Sequence, residues 1–256
     1  MTHTLRAAAF CGAIVLGSAS AIATPPPPGH DPHAWSYEGA TDPSHWGELD
    51  PGFFRCATGE RQSPVDIHGA TPAHLPPLAF HYRPTRAKVV NTGHTIEVRP
   101  AGDETLTTAT GTYRLAQFHF HTPSETRFNG KAYPLSAHFV HQDDQGRVVA
   151  VVAVMFRMGK PNPQLATLFR TLPGQGAQPV PMPGRVNIAG LLPKSHNYYT
   201  FSGSLTTPPC TEDVRWYVMK QPLTISPQQL AAFRSRYPMN ARPLQPLDGR
   251  EIQSGN

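Results

Sequence analysis

From Val148 to Met155 the chain reads VVAVVAVM, eight apolar residues without a break. Successive side chains of a strand point to opposite faces, so such a run is apolar on both. A strand of this kind belongs in the middle of a sheet that is covered on each side. Its valines favour strand over helix. Four further runs, KVVNTGHTIEVRP, LAQFHFHT, PLSAHFVHQ and VRWYVMKQP, also read as strands. Helices are few. Ser226-Pro227-Gln228-Gln229 supplies an N-cap serine, a proline at the first helical position and a glutamine placed for a capping box. Asn162-Pro163 opens a second helix, expected to reach about Leu172. The prediction is a mostly β fold with short peripheral helices, in a single domain over residues 34–252 with a tail at 253–256.

The amino terminus reads differently. MTHTLR is basic, AAAFCGAIVLGSASAIA is apolar and small, and Ala21-Ile22-Ala23 fits the A-x-A cleavage rule. Residues 1–23 are thus expected to be a signal peptide, and the apolar stretch is too short for a good membrane anchor. The Pro-rich residues 24–33 follow as a stiff leader. The mature chain is expected to be exported, periplasmic or extracellular, with no membrane attachment. It then holds two cysteines, Cys56 and Cys210. Export and an even count suggest one disulfide, the alternative being two separate buried thiols. Net charge is +5, and Arg6 is the only charged side chain in the signal, which leaves +4. The basic residues are scattered singly, which reads as solubility and not as a nucleic-acid surface.

The chemistry concentrates at QFHFHTPSE, residues 117–125. His119 and His121 are two apart and share one face of a strand, so both can reach one metal ion. Asn129-Gly130 is a strong two-residue hairpin signal. A hairpin closed there places His121 opposite His138 and His119 opposite Val140, with His141 on the other face opposite Phe118. Alternation therefore selects His138 as third ligand and leaves His141 structural. Three histidines without thiolate or carboxylate suit a catalytic zinc that keeps one position open for water.

Together with GERQSPVDI at 59–67, VNTGHTIEV at 90–98, AHFVH at 137–141, YYTFSGSLTTPPC at 198–210, VRWYV at 214–218 and NARPLQPLDGR at 240–250, this pattern resembles an α-class carbonic anhydrase of the exported bacterial type. The resemblance spans nearly the whole mature chain. It implies a large, mainly antiparallel twisted sheet with the zinc site in a cone-shaped cleft, and reversible hydration of CO2 to bicarbonate and a proton. It implies zinc on His119, His121 and His138, with Thr206 accepting from the zinc-held hydroxide and donating to Glu125. A hydroxyl can do both at once, whereas an ionised carboxylate only accepts. Val140, Val152, Leu205, Val214 and Trp216 match the apolar substrate pocket, joined by Thr207. His94 matches the proton shuttle, Tyr37 an active-site tyrosine that orders water, and Gln117 and Ser136 stand behind the ligands. Sulfonamide and anion inhibitors at the zinc and a homodimer are further expectations of the same kind.

The chain also departs from the pattern. Ser136 stands where the family usually has Glu, two residues before the third ligand. Thr126 replaces a His, Thr92 an Asn and Phe201 a Tyr. These touch metal affinity and proton transfer, not the reaction type. Two rival readings remain on the sequence. One is a cupin, in which Glu125 would itself be a ligand. The other is a carbonic-anhydrase-like binding protein, although such proteins typically lose a zinc histidine and all three stand here.

Overall fold

The computed structural model describes Met1, residues 34–170 and residues 172–255. The rest of the expected signal peptide and the leader at 24–33 lie outside the described residues. The described residues from 34 onward gather into one compact unit.

The apolar run is the middle of that unit. It lies in strand Val148–Met158, antiparallel to Leu135–Gln142 on one side and parallel to Glu212–Met219 on the other. Outward from Leu135–Gln142 follow Gly111–His121, Ile96–Pro100, Ala87–Asn91 and Val180–Pro181. Outward from Glu212–Met219 follow Tyr198–Ser204, Gln253–Ser254 and Thr71–Pro72. The sheet holds thirteen strands among the described residues. It is mixed: most neighbours run antiparallel, while Val148–Met158 takes parallel partners in Glu212–Met219 and Leu223–Ile225.

The central strand divides the interior as its period predicts. Val152, Val154 and Phe156 enter the larger apolar cluster, while Val151, Ala153 and Met155 enter a smaller one. Helix Pro227–Arg234 closes over the larger cluster with Leu230 and Phe233, and its capping box is formed as the sequence predicts. Helix Pro163–Leu168 adds Leu165 and Leu168. This packing leaves one stretch of the opposite face to polar residues, and the histidines stand there.

Three expectations need correction. KVVNTGHTIEVRP is two strands, Ala87–Asn91 and Ile96–Pro100, joined by a turn in which Gly93 takes φ +87°. That left-handed value favours glycine, and the turn lifts His94 to the tip of a hairpin. The helix opened by Asn162 ends at Leu168, short of Leu172; Pro173 disfavours helical backbone in the residue before it. The end of the chain is not a tail, since Gln253–Ser254 pairs with Tyr199 and Thr200 on one side and with Thr71 and Pro72 on the other.

Candidate metal centre

His119 and His121 end strand Gly111–His121, and His138 sits in the adjacent strand Leu135–Gln142. His138 pairs with His119, and Ser136 pairs with His121. This is two residues away from the register expected from the turn. Asn129-Gly130 does close a hairpin, with Arg127 opposite Ala132 and Phe128 opposite Lys131. Between that hairpin and the long strands, however, residues 122–126 face only 133–135, so one side carries two more residues than the other. A slip of one residue would have turned every side chain to the wrong face, but a slip of two preserves the face. His138 therefore stays with the other two imidazoles, and His141 stays away from them.

The ligating atoms of the three histidines lie within 4.8 Å of one another. Two rings are aimed by hydrogen bonds from behind. His119 Nδ1–H donates to Gln117 Oε1 at 2.8 Å, and His121 Nδ1–H donates to the Asn240 carbonyl at 2.7 Å. Asn240 is itself fixed, because its side chain accepts from Thr122 N and donates to the carbonyls of Phe120 and His94. With the proton held at Nδ1, the lone pair of each ring sits on Nε2, facing inward. His121 Nε2 lies 3.4 Å and His138 Nδ1 3.7 Å from the same oxygen, Glu125 Oε2. The third ring thus offers Nδ1 and not Nε2 to the shared volume. Burial holds His119 and His138 well below the ordinary imidazole pKa, so both are neutral donors.

Glu125 is buried beside them. Its Oε1 accepts from the backbone N–H of Arg242 at 2.9 Å. Burial raises its pKa, while His121, the Arg242 amide and the Thr206 hydroxyl favour the ionised form. Thr206 belongs to a loop secured at several points. Leu205 N donates to Thr211 O, Cys210 N donates to Thr207 O, and Cys210 is bridged to Cys56. Gln62 Nε2 adds a bond to the Cys210 carbonyl.

His119, His121, Thr207, Gln117, Tyr37 and His94 line one recess of about 200 Å³. That is smaller than a depression of about 410 Å³ near Arg86 and Arg185, which holds none of these groups. His94 lies flat on Trp35, ring centroids 3.6 Å apart and planes 10° from parallel. Burial lowers the His94 pKa. Burial, reinforced by the Glu125 charge, pushes the Tyr37 hydroxyl well above its usual value.

Val140, Val214, Trp216 and the partly buried Leu205 share the smaller apolar cluster, and Trp216 meets the His138 ring edge-on at 5.0 Å. Val152 does not belong with them. Its cross-strand partner is Phe139, and it packs into the larger cluster on the other face. Val151, the partner of Val140, takes that place instead. Trp35 and Asn240 also go unassigned in the sequence reading. Asn240 acts through a backbone carbonyl from 119 residues away, which no local spacing discloses.

The residues fit a zinc ion. Three imidazoles converge, and the inward His121 Nε2 and Glu125 Oε2 are buried with no hydrogen-bond partner among the described residues. Buried polar atoms are rarely left so, and a cation beside them accounts for both. Residues 41–256 match the family model described as eukaryotic-type carbonic anhydrase. A carbonic anhydrase of Pectobacterium carotovorum is 46% identical over 219 residues, 85% of this chain and 89% of that protein. The α-carbonic anhydrase of Photobacterium profundum superposes with a TM-score of 0.82 at 48% identity, covering 86% of this chain and 100% of the other. The Thermovibrio ammonificans enzyme, solved with the inhibitor sulfanilamide, gives 0.83 at 43% identity, with coverage of 86% and 98%.

Proposed function

The chain belongs to the eukaryotic-type, α-class carbonic anhydrases, and on that premise we propose that it hydrates CO2 reversibly to bicarbonate and a proton at a zinc ion held by His119, His121 and His138. The observation that carries this reading is the convergence of three imidazoles, those of His121 and His138 fully buried, on a volume that also receives a buried carboxylate. Zinc, when bound there, supplies a Lewis acid that makes water acidic enough to lose a proton near neutral pH.

The chain's own residues do the rest. Glu125 accepts from the Thr206 hydroxyl, which leaves that oxygen's lone pairs free to accept a hydrogen bond from the recess side. This fixes the direction of the bond and orients the nucleophile before substrate arrives. Val140, Val151, Leu205, Val214 and Trp216 give an apolar wall suited to a small apolar substrate. His94 takes the released proton. Its lowered pKa keeps it neutral, and so an acceptor, through pH 7. Tyr37, kept protonated, orders the water between. Sulfonamides and small anions are expected to compete for the same position. In the mature, exported chain the Cys56–Cys210 bridge holds the Thr206 loop.

Zinc content and CO2 hydration measured on one sample test the whole reading. One zinc per chain with rapid hydration is expected, and zinc without hydration would leave a binding protein. His94→Ala tests the shuttle. Turnover in weak buffer should fall by up to about 100-fold, the low end for a positioned proton-transfer group, and added imidazole should restore part of it. An unchanged rate removes His94 from the mechanism.

A further inference from the structure

Two of the three imidazoles have a protein acceptor behind them, and the third has none. Gln117 Oε1 receives His119 and the Asn240 carbonyl receives His121. His138 turns Nδ1 toward the other rings, so its proton must sit on Nε2. That Nε2 is buried and has no hydrogen-bond partner among the described residues. Ser136 Oγ is in the same condition, on a residue with 0% exposure. Ser136 is two residues before His138 in the same strand, so the two side chains share a face. A second buried hydroxyl, Thr126 Oγ1, also lacks a partner among the described residues. Thr126 directly follows Glu125, whose carboxylate is 3.7 Å from the same His138 ring.

One donor and two hydroxyls, all buried and all unpartnered, are more than a native interior usually leaves. A buried water typically makes about three hydrogen bonds. Apolar neighbours cannot meet the need, since Met155 and Ala153 stand across from Ser136 and His138 in the central strand. We propose that a single buried water joins His138 Nε2–H to Ser136 Oγ and Thr126 Oγ1, and that Ser136 acts through this water as a positioning residue for His138. Every acceptor behind the metal centre is then neutral: an amide oxygen, a backbone carbonyl and a water. A neutral acceptor adds less electron density to a ligating ring than a carboxylate does. His138 is consequently held less firmly than a carboxylate at position 136 would hold it.

The inference rests on the zinc reading above, and the test separates the two. Zinc-loaded protein and two variants, Ser136→Glu and Ser136→Ala, are mixed with excess chelator, and zinc release is followed optically. Failure of the unaltered protein to take up zinc refutes the metal reading itself. With zinc bound, Ser136→Glu is expected to slow release by roughly 10–100-fold, the usual weight of an outer partner. Ser136→Ala, which is nearly isosteric, is expected to speed it. Nitrogen-15 spectra of the zinc-loaded protein should show the His138 Nε2–H exchanging faster in Ser136→Ala than in the unaltered chain. A high-resolution structure should place the water within hydrogen-bond distance of His138 Nε2 and Ser136 Oγ. Unchanged release and unchanged exchange in Ser136→Ala, or a dry gap between the two side chains, overturns the proposal.

Discussion

Strand Leu135–Gln142 buries two histidines three residues apart, and they have become different chemical objects. His138, 1% exposed, stands among two other imidazoles and a carboxylate. His141, 0% exposed, lies on the opposite face, where Tyr82 shares a 2.6 Å hydrogen bond with its Nε2. Neighbouring Phe139 packs into the larger apolar cluster, and Val140 into the smaller one. Both histidines are neutral through burial. The difference lies in what each lone pair meets. On one face three lone pairs converge and can hold a cation. On the other, a single ring nitrogen shares a hydrogen bond with one tyrosine hydroxyl, and no second imidazole converges on it. Residue type does not make a ligand here; the face of the sheet does.

The most direct way to break this comparison is to delete each ring in turn. His138→Ala should cost zinc affinity well beyond the roughly 10–100-fold that loss of an outer partner costs, and hydration should vanish with the metal. His141→Ala should keep zinc and turnover while losing stability, because it opens a cavity and strands the Tyr82 hydroxyl. Metal analysis after dialysis, with thermal unfolding beside it, reads both. Metal loss in His141→Ala and retention in His138→Ala would reverse the assignment of faces.

Glu125→Gln sharpens the same contrast within the polar face. The carboxylate touches two ligating rings but is assigned to Thr206, so the amide should leave zinc bound. Turnover should fall by about 100-fold, the scale on which a misplaced reacting group matters. A chain that loses its metal instead has Glu125 as a ligand, as in the cupin reading.

Val151 and Val152 carry the comparison into the central strand with a smaller effect. Val152→Ala should cost about 2 kcal/mol of stability, in the range for burying a valine side chain, with kcat/KM intact. Val151→Phe should lower kcat/KM by crowding the wall beside Val140. Stopped-flow hydration and denaturant unfolding distinguish them. Equal kinetic effects from both would mean that the two valines do not face opposite ways.

How far the sequence discloses this arrangement follows from the same pair of faces. The three-histidine group is legible because strand alternation is a matter of parity. His119, His121 and His138 come out together even though the hairpin register expected from Asn129-Gly130 is two residues off. The apolar wall is less legible. In VVAVVAV every position is apolar, so nothing inside the run says which valines face the metal. Pairing with Val140 and Trp216 decides it, and that is tertiary information. Trp35 on His94 and Asn240 behind His121 are assembled by segments far apart in the chain. The breaks that are visible locally, such as the serine cap before Pro227, were legible to the residue.

The last test isolates His141 alone. Burial pushes its pKa down to about 3, whereas in the unfolded chain it titrates near the ordinary value of about 6.5. Between those limits the unfolded state binds a proton that the folded state refuses. The contribution of His141 is therefore fully present above about pH 6.5 and is lost as the pH falls toward 3, at up to about 1.4 kcal/mol per pH unit for one proton. His119 and His138 are displaced in the same direction, so the experiment uses metal-free protein and a difference between two chains. His141→Asn keeps a hydrogen-bonding partner for the Tyr82 hydroxyl and removes the titrating ring. Unfolding free energies of both chains are measured from pH 7 to pH 4. The unaltered chain should be the more stable at pH 7, and its advantage should shrink as the pH falls, while the slopes contributed by the metal face cancel. Parallel curves would mean that His141 already carries its proton in the folded state, and the contrast between the two histidines of this strand would then rest on charge as well as on position.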